Sequence, residues 1–186
     1  MILVRHGESE FNAVFNRTRV DPGIRDPRLT TRGREQVRLA AAEIRRHDQP
    51  IRRLITSPYT RALETAAILA QELTLPVAVE PIVHEHACWI CDIGTPASTL
   101  AARWPTLDFS HIGEIWWPED EPHQSVHRRC TAFRLKAARL SDWRHVAVVS
   151  HWGFIRMLTG REAKNAEVVR FDPTQAIPEP ALPPAL

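Results

Sequence analysis

The chain has 186 residues, and 24 lysines and arginines against 22 aspartates and glutamates leave a formal net charge of +2. Hydrophobic residues make up 44% and charged residues 25%, the balance of a soluble globular protein, and the length fits one domain with a substantial core. So small a charge, carried on arginines spread along the chain, gives no ground for a nucleic-acid partner, and no apolar run reaches the roughly 18 residues of a membrane helix. Three cysteines, an odd number, do not make a disulfide framework. With no basic segment and apolar run at the start to read as a signal peptide, the expected setting is the reducing cytoplasm.

Met1 to Val4 reads as a short buried strand, and the chain turns polar at Arg5 and His6, with Gly7 permitting a sharp turn or a close backbone approach. Residues 13–28, mixed and polar with Pro22, Gly23 and Pro27, are expected to be irregular. Leu29-Thr30-Thr31 opens a helix with a threonine N-cap, and Val37, Ala40, Ala41 and Ile44 give it one apolar face. Arg53 to Thr56 is a second strand. Ser57-Pro58 then leads a helix to about Leu73, with Pro58 in its first turn and Leu63, Ala66, Ala67 and Ala70 turned inward. Val77 to Val79 makes a third strand. An elaborated loop region follows over 87–122, with one short helix near Ala97–Trp104. His123 to Leu140 is helical with Val126, Cys130, Phe133, Ala137 and Leu140 as its stripe, Val146 to Val149 is a buried strand, Phe154 opens another helix, and Ala166 to Phe171 forms a last strand. The expected organisation is one domain over 1–172 and a proline-rich tail over 173–186.

Helices alternating with strands indicate an α/β fold, a three-layer α/β/α sandwich with a mostly parallel central sheet. Ligands of such sheets collect outside the carboxyl ends of the strands, where Arg5-His6, Ser57 to Arg61 and His151 all fall. An imidazole beside a guanidinium at a strand end suits nucleophilic attack on phosphorus, with the arginine fork neutralising the equatorial oxygens. The string Arg5-His6-Gly7-Glu8-Ser9, with Phe11 and Asn12 following, resembles the signature of the histidine phosphatase superfamily, the phosphoglycerate mutase-like proteins. Ser57-Pro58-Tyr59-Thr60-Arg61-Ala62-Leu63-Glu64-Thr65-Ala66 is similar to the family's second motif, and Val149-Ser150-His151 with Gly153 to its third. Leu29-Thr30 with Gly33 and Gln36 matches its helix opening, so the resemblance spans roughly residues 1–171.

The resemblance implies the family's fold, a phosphohistidine on His6, a phosphoryl clamp from Arg61, a second histidine at His151, and an acidic residue soon after the third strand, where Glu85 stands. The residue chemistry agrees. Arg5, Arg61 and His151 would offset a phosphate dianion, with Asn12 donating from its amide, and Ser9, Gly7 and Trp152 complete the expected substrate contacts. His6 must be neutral at the attacking nitrogen, so its other nitrogen should be held by a backbone carbonyl. Glu85 would protonate the leaving alkoxide, which requires a raised pKa, and Glu8 is the next candidate acid. Asp92 and Ser98 are weaker substrate contacts. Trp152 stands where the family commonly has glycine, so its indole either narrows the pocket or turns away to pack.

His84, His86, Cys88 and Cys91 together could bind zinc, and the two cysteines also resemble a redox dithiol; no second paired-ligand element accompanies them. Trp89, Trp104, Trp116 and Trp117 could wall an apolar pocket, although core packing is the commoner use of tryptophan. The expectation is a metal-independent phosphatase, akin to the histidine acid phosphatases, that hydrolyses small phosphomonoesters without a cofactor. The alternatives are a phosphoglycerate mutase or an inactive phosphate-binding module. Oligomeric state is open, with a dimer conceivable.

Overall fold

The computed structural model describes residues 1–175. Five strands form one sheet: β1 (Ile2–Arg5), β2 (Arg53–Thr56), β3 (Val77–Val79), β4 (Val146–Ser150) and β5 (Val168–Arg170). Their order is β3-β2-β4-β1-β5, with every pairing parallel except the antiparallel β1–β5 edge. The helices are α1 (Glu10–Thr18), α2 (Thr31–Arg45), α3 (Thr60–Leu73), α4 (Ala97–Arg103), α5 (His123–Ala138) and α6 (Trp152–Thr159).

Alternation along the central strands sorts the core into two layers, because successive side chains point to opposite faces of a sheet. Leu3, Val146 and Val148 pack with Val126, Phe133, Phe154 and Leu158 of α5 and α6. Ile2, Val4, Ala147 and Val149 pack with Val37, Ala41, Ala66 and Leu69 of α2 and α3. The central strands are buried on both faces, which is why β1 and β4 read as continuous apolar runs. The 87–122 region carries a small core of its own, in which Leu100, Phe109, Trp104 and Trp116 pack on Leu63 and Val79. Trp104 and Trp116 therefore anchor the loop and do not wall a ligand pocket.

The expected helix to Leu140 ends at Ala138 and the expected strand over Ala166–Phe171 spans only Val168–Arg170, and three more elements differ at their starts. The segment expected to be irregular from residue 13 holds α1 instead. Ser9 Oγ accepts from the Asn12 backbone N–H while Asn12 Oδ1 accepts from the Ser9 N–H, both at 3.2 Å. This is a capping box with asparagine in place of the usual glutamate or glutamine, so its sequence signal is weak. Phe11 and Phe15, one turn apart, stack at 5.2 Å and reinforce the helix. Secondly, α3 starts at Thr60, after Pro58, because the buried Asp26 accepts from the Thr60 backbone N–H at 2.8 Å and its hydroxyl at 2.6 Å. Ala62, Leu63, Ala66 and Leu69 are its buried inward apolar residues and Ala70 packs against the same core partly buried, so of the expected stripe only Ala67 falls outside. Finally, α6 opens at Trp152, two residues early. Of the expected tail, 173–175 form a turn on Asp172, and 176–186 lie outside the described residues.

The register aligns Arg5 with Ser150, and Thr56 with Val149, so β1, β4 and β2 end side by side. One close contact sets the turn after β1: a Cβ on Gly33 would lie 2.1 Å from the Glu8 carbonyl oxygen, and one on Gly7 would lie 2.5 Å from the Gly33 carbonyl oxygen. Gly33→Ala in a helix would ordinarily stabilise. Here the clash is backbone on backbone, so the substitution should cost about 2 kcal/mol and lower the Tm by about 4–8 °C. A thermal melt that rises or stays level would contradict this packing.

Candidate active site

His6 leaves the end of β1 with its backbone N–H on Ser150 O, and its ring Nδ1–H donates to the Gly7 carbonyl at 2.7 Å. The other ring nitrogen, Nε2, is thereby left as the basic one. Burial first, then the Arg61 and Arg5 guanidiniums, push the His6 pKa well below the ordinary imidazole value, so the ring is neutral. The ring of His151, at the end of β4, lies 5.1 Å away centroid to centroid. Ser57 Oγ accepts from the Tyr59 N–H at 3.4 Å and lies 2.8 Å from His151 Nε2, a hydrogen bond that either tautomer of His151 can make. Buried Nδ1 of His151 and buried Nε of Arg5 find no hydrogen-bond partner among the described residues. The Arg5 Nε–H is a buried donor without an acceptor beside the neutral His6 ring, which an anion would satisfy, and with its ring proton on Nδ1 His151 would be a second.

Arg61 is 3% exposed, on the inner face of the first turn of α3. It donates to Asp92 Oδ1 at 2.9 Å and to the Cys91 carbonyl at 2.8 Å, and its guanidinium lies 4.4 Å from the Tyr59 ring centroid. Burial is the largest influence and works against its charge, but Asp92 together with the other negative groups around it, Glu85 among them, more than offsets this and its pKa is raised. Neither Glu64 nor Glu35 is its partner; Glu64 instead pairs with Arg34 at 3.1 Å. Arg5 donates to the Ala163 carbonyl at 2.9 Å, and burial lowers its pKa.

Glu85 sits at the start of α6. Its Oε1 accepts from the backbone N–H groups of His86 (2.8 Å), Gly153 (2.8 Å) and Phe154 (3.3 Å), so Oε2 remains for other work. A Cβ on Gly153 would lie 2.6 Å from that Oε1, so glycine is what admits the carboxylate here. Burial raises the Glu85 pKa, the nearby Asp92 carboxylate raises it further, and Arg61, the His86 N–H and Arg5 only partly counter them. Its loop is held by Arg129, which donates to the carbonyls of Ile82, His84 and Glu85 and pairs with Glu121 at 2.7 Å.

A cavity of about 470 Å³, in the range of small-molecule sites, opens beside these groups; His151, fully buried behind His6, is not in its lining. Arg5, His6, Arg61, Glu85, Ser9, Asn12, Asp92 and Trp152 all line it. The amide oxygen of Asn12 accepts from Asn165 Nδ2 at 3.0 Å, which leaves its NH₂ to donate. Gly7 is not in the lining; its N–H donates to Thr65 Oγ1 at 3.2 Å and its Cα packs on α2. Glu8 faces Thr30 and Arg32 at the head of α2. Ser98 donates to Glu114 at 2.6 Å and is likewise outside the lining. Asp92 is more than a weak substrate contact: it is the anchor of Arg61, and Cys88 and Trp89 also donate their backbone N–H groups to its Oδ2. Sequence reasoning did not find that role, nor those of Ser57 and Arg129, because each acts through a partner distant in the chain.

Among the described residues, no three His, Cys, Asp or Glu side chains converge as metal ligands. His84 Nδ1 donates to the Glu85 carbonyl and His86 Nε2 to the Glu121 carbonyl, while burial pushes the Cys88 thiol up to about 11. No helix among the described residues is long and apolar enough to cross a membrane.

The sequence profile of the histidine phosphatase superfamily (branch 1) matches residues 1–175. Phosphoserine phosphatase 1 of Hydrogenobacter thermophilus is 33% identical over 164 residues, covering 81% of this chain and 70% of its own. Glucosyl-3-phosphoglycerate phosphatase of Mycolicibacterium vanbaalenii is 33% identical over 168 residues, 86% of this chain and 72% of its own. A probable phosphoglycerate mutase of Yersinia enterocolitica is 38% identical over 156 residues, 81% and 68%. Among solved structures, the product of an open reading frame of Mycobacterium tuberculosis superposes with a TM-score of 0.60 at 23% identity, covering 90% of this chain and 87% of that one. The fold is thus that of the histidine phosphatases.

Two outcomes follow from the geometry. Asp92→Ala strands a buried guanidinium and should cost about 3–5 kcal/mol, read by urea unfolding; a loss under about 1 kcal/mol would mean that Arg61 has another anchor. His6, His151 and His84 (pKa lowered to about 4) all titrate below their ordinary value near 6.5 in the fold. Below about pH 6.5 the unfolded chain therefore binds protons that the folded chain does not, and stability falls with pH. Glu85 works the other way, but three groups outweigh one. The Tm should drop steadily from pH 7 to pH 5, and a Tm that rises over that span would contradict the neutral rings.

Proposed function

The chain belongs to the histidine phosphatase superfamily, branch 1, and on that premise we propose that it is a phosphatase that hydrolyses small phosphomonoesters through a phosphohistidine on His6. The observation that carries the reading is the pairing of a neutral His6, its Nδ1 occupied by Gly7, with a Glu85 whose pKa is raised and whose Oε2 is unencumbered. One group has the lone pair that the attack needs, and the other has the proton that the leaving group needs.

The ester dianion settles between Arg5, Arg61 and the amide of Asn12, with the His151 ring packed beside His6. These groups screen its charge and align phosphorus with His6 Nε2. Its own charge raises the Glu85 pKa further, so substrate binding secures the protonated acid. Nε2 attacks phosphorus, the P–O ester bond breaks, and the Glu85 proton passes to the departing alkoxide. Glu85, now a carboxylate, takes a proton from water as the water oxygen attacks the phosphoryl group. The P–N bond breaks, phosphate leaves, and His6 and Glu85 return to their starting states. The relatives include phosphatases and mutases; the mutase reading would have the phosphoryl group return to a phosphoglycerate instead of passing to water.

Phosphate release from alkyl phosphates should withstand excess EDTA and vanish in His6→Ala. In Glu85→Gln it should fall by about 10²–10⁴. On p-nitrophenyl phosphate, whose leaving group needs no proton, Glu85→Gln should instead give a burst of p-nitrophenolate stoichiometric with enzyme, then a slow phase. Full activity in His6→Ala, or loss on chelation, would refute the mechanism. Interconversion of 3- and 2-phosphoglycerate without phosphate release would select the mutase.

A further inference from the structure

We infer that the phosphomonoester taken by this site carries a flat, apolar aromatic group within reach of its phosphate. The inference rests on the proposed function only for the phosphate end of the ligand. The cavity has two unlike halves. Its polar end holds Arg5, His6, Arg61 and Glu85, and its other wall is built of rings: Phe11 and Phe15 from one face of α1, and Trp89 from the loop opposite. Phe11 and Phe15 stack at 5.2 Å; Trp89 stands edge-on to Phe15 at 5.4 Å and tilted to Phe11 at 6.4 Å. Trp152 lines the same cavity.

None of these three rings belongs to the hydrophobic clusters that hold the fold together. Trp89 is 48% exposed, an indole presented to solvent at the edge of the cavity. Its place is nonetheless set. Its backbone N–H donates at 3.2 Å to Asp92, the carboxylate that also anchors Arg61. The α1 rings are tied in the same way, since Asn12, between them on the helix, faces the polar end of the cavity. Ring wall and phosphate clamp thus share anchors, which fixes the distance between them. A planar ring inserted there gains apolar burial and edge-to-face contact on several sides.

Charge points the same way. Apart from Arg5 and Arg61, the guanidinium in the lining is Arg19, which lies 5.9 Å from the Phe15 ring centroid. A carboxylate beside the phosphate, as in phosphoserine or phosphoglycerate, would meet Arg19 as the one guanidinium on this wall among the described residues, and Arg19 already lies over the Phe15 ring.

The test is binding of two non-hydrolysable dianions, 2-phenylethylphosphonate and propylphosphonate, to the whole protein by calorimetry. The phenyl ligand should bind at least about tenfold more tightly, from the area of one ring removed from water. Trp89→Ala and Phe15→Ala should each bring that ratio toward one, whereas a merely structural loss would weaken both ligands alike and leave the ratio intact. Equal affinity of the two phosphonates, or an unchanged ratio in both variants, would overturn the inference. A phenyl preference in a protein that releases no phosphate from any ester would sink the phosphatase reading and leave this one standing. Glycerol phosphate turned over as efficiently as 2-phenylethyl phosphate, both alkyl esters, would sink this one alone.

Discussion

The site depends on the 2.7 Å hydrogen bond from His6 Nδ1 to the carbonyl of its own neighbour, Gly7. That bond selects which ring nitrogen keeps its lone pair. It holds only while the Gly7 peptide is fixed, and two contacts fix it. Gly7 packs against Gly33 on α2 too closely for any side chain, and its N–H donates to Thr65 on α3. Thr65 in turn donates to the carbonyl of Arg61 at 2.8 Å. The positions of His6 and Arg61 are therefore set by one short chain of bonds that joins two helices to the end of β1. Neither helix would lie in place without the sheet register that brings β1, β4 and β2 to a common edge.

Around this frame the charges balance by position. Asp92 has two effects of opposite kind: it keeps Arg61 protonated in a fully buried place, and it pushes the Glu85 pKa up. The three backbone N–H groups on Glu85 stabilise its carboxylate form. Burial and Asp92 oppose them, so the group lies within reach of either protonation state. That is the property a residue needs if it is to act as acid in one half-reaction and base in the next. Burying Arg61 without Asp92 would be strongly destabilising, so Glu85 and Arg61 are linked through a single carboxylate.

Much of this could be read from residue order alone, and the rest was hidden for definite reasons. Buried strands and the polar residues that end them announce themselves by abrupt changes in hydrophobicity, so Arg5-His6, Ser57 to Arg61 and His151 were legible as one rim. Glu85 was marked by the family resemblance, which implies an acidic residue soon after β3. The helix α1 was masked because asparagine at its third position caps it where glutamate is usual, and because polar residues dominate its outer face. Asp92 has no periodicity to mark it, and its role appears only once the loop folds across α3. Gly153 was noted but its purpose was not, since the carboxylate that it accommodates lies 68 residues earlier. Tryptophans divide between core and cavity on tertiary grounds alone: Trp104 and Trp116 went to the loop core, Trp89 and Trp152 to the cavity.

The most direct measurement is to mix the protein with a chromogenic aryl phosphate, quench in alkali within one turnover, and sequence the peptides by mass spectrometry. The account predicts an HPO₃ adduct on Nε2 of His6, stable in base and lost in acid, that accumulates when Glu85 is replaced by glutamine. Turnover with no phosphopeptide at His6, or with the phosphoryl group on another residue, would contradict it.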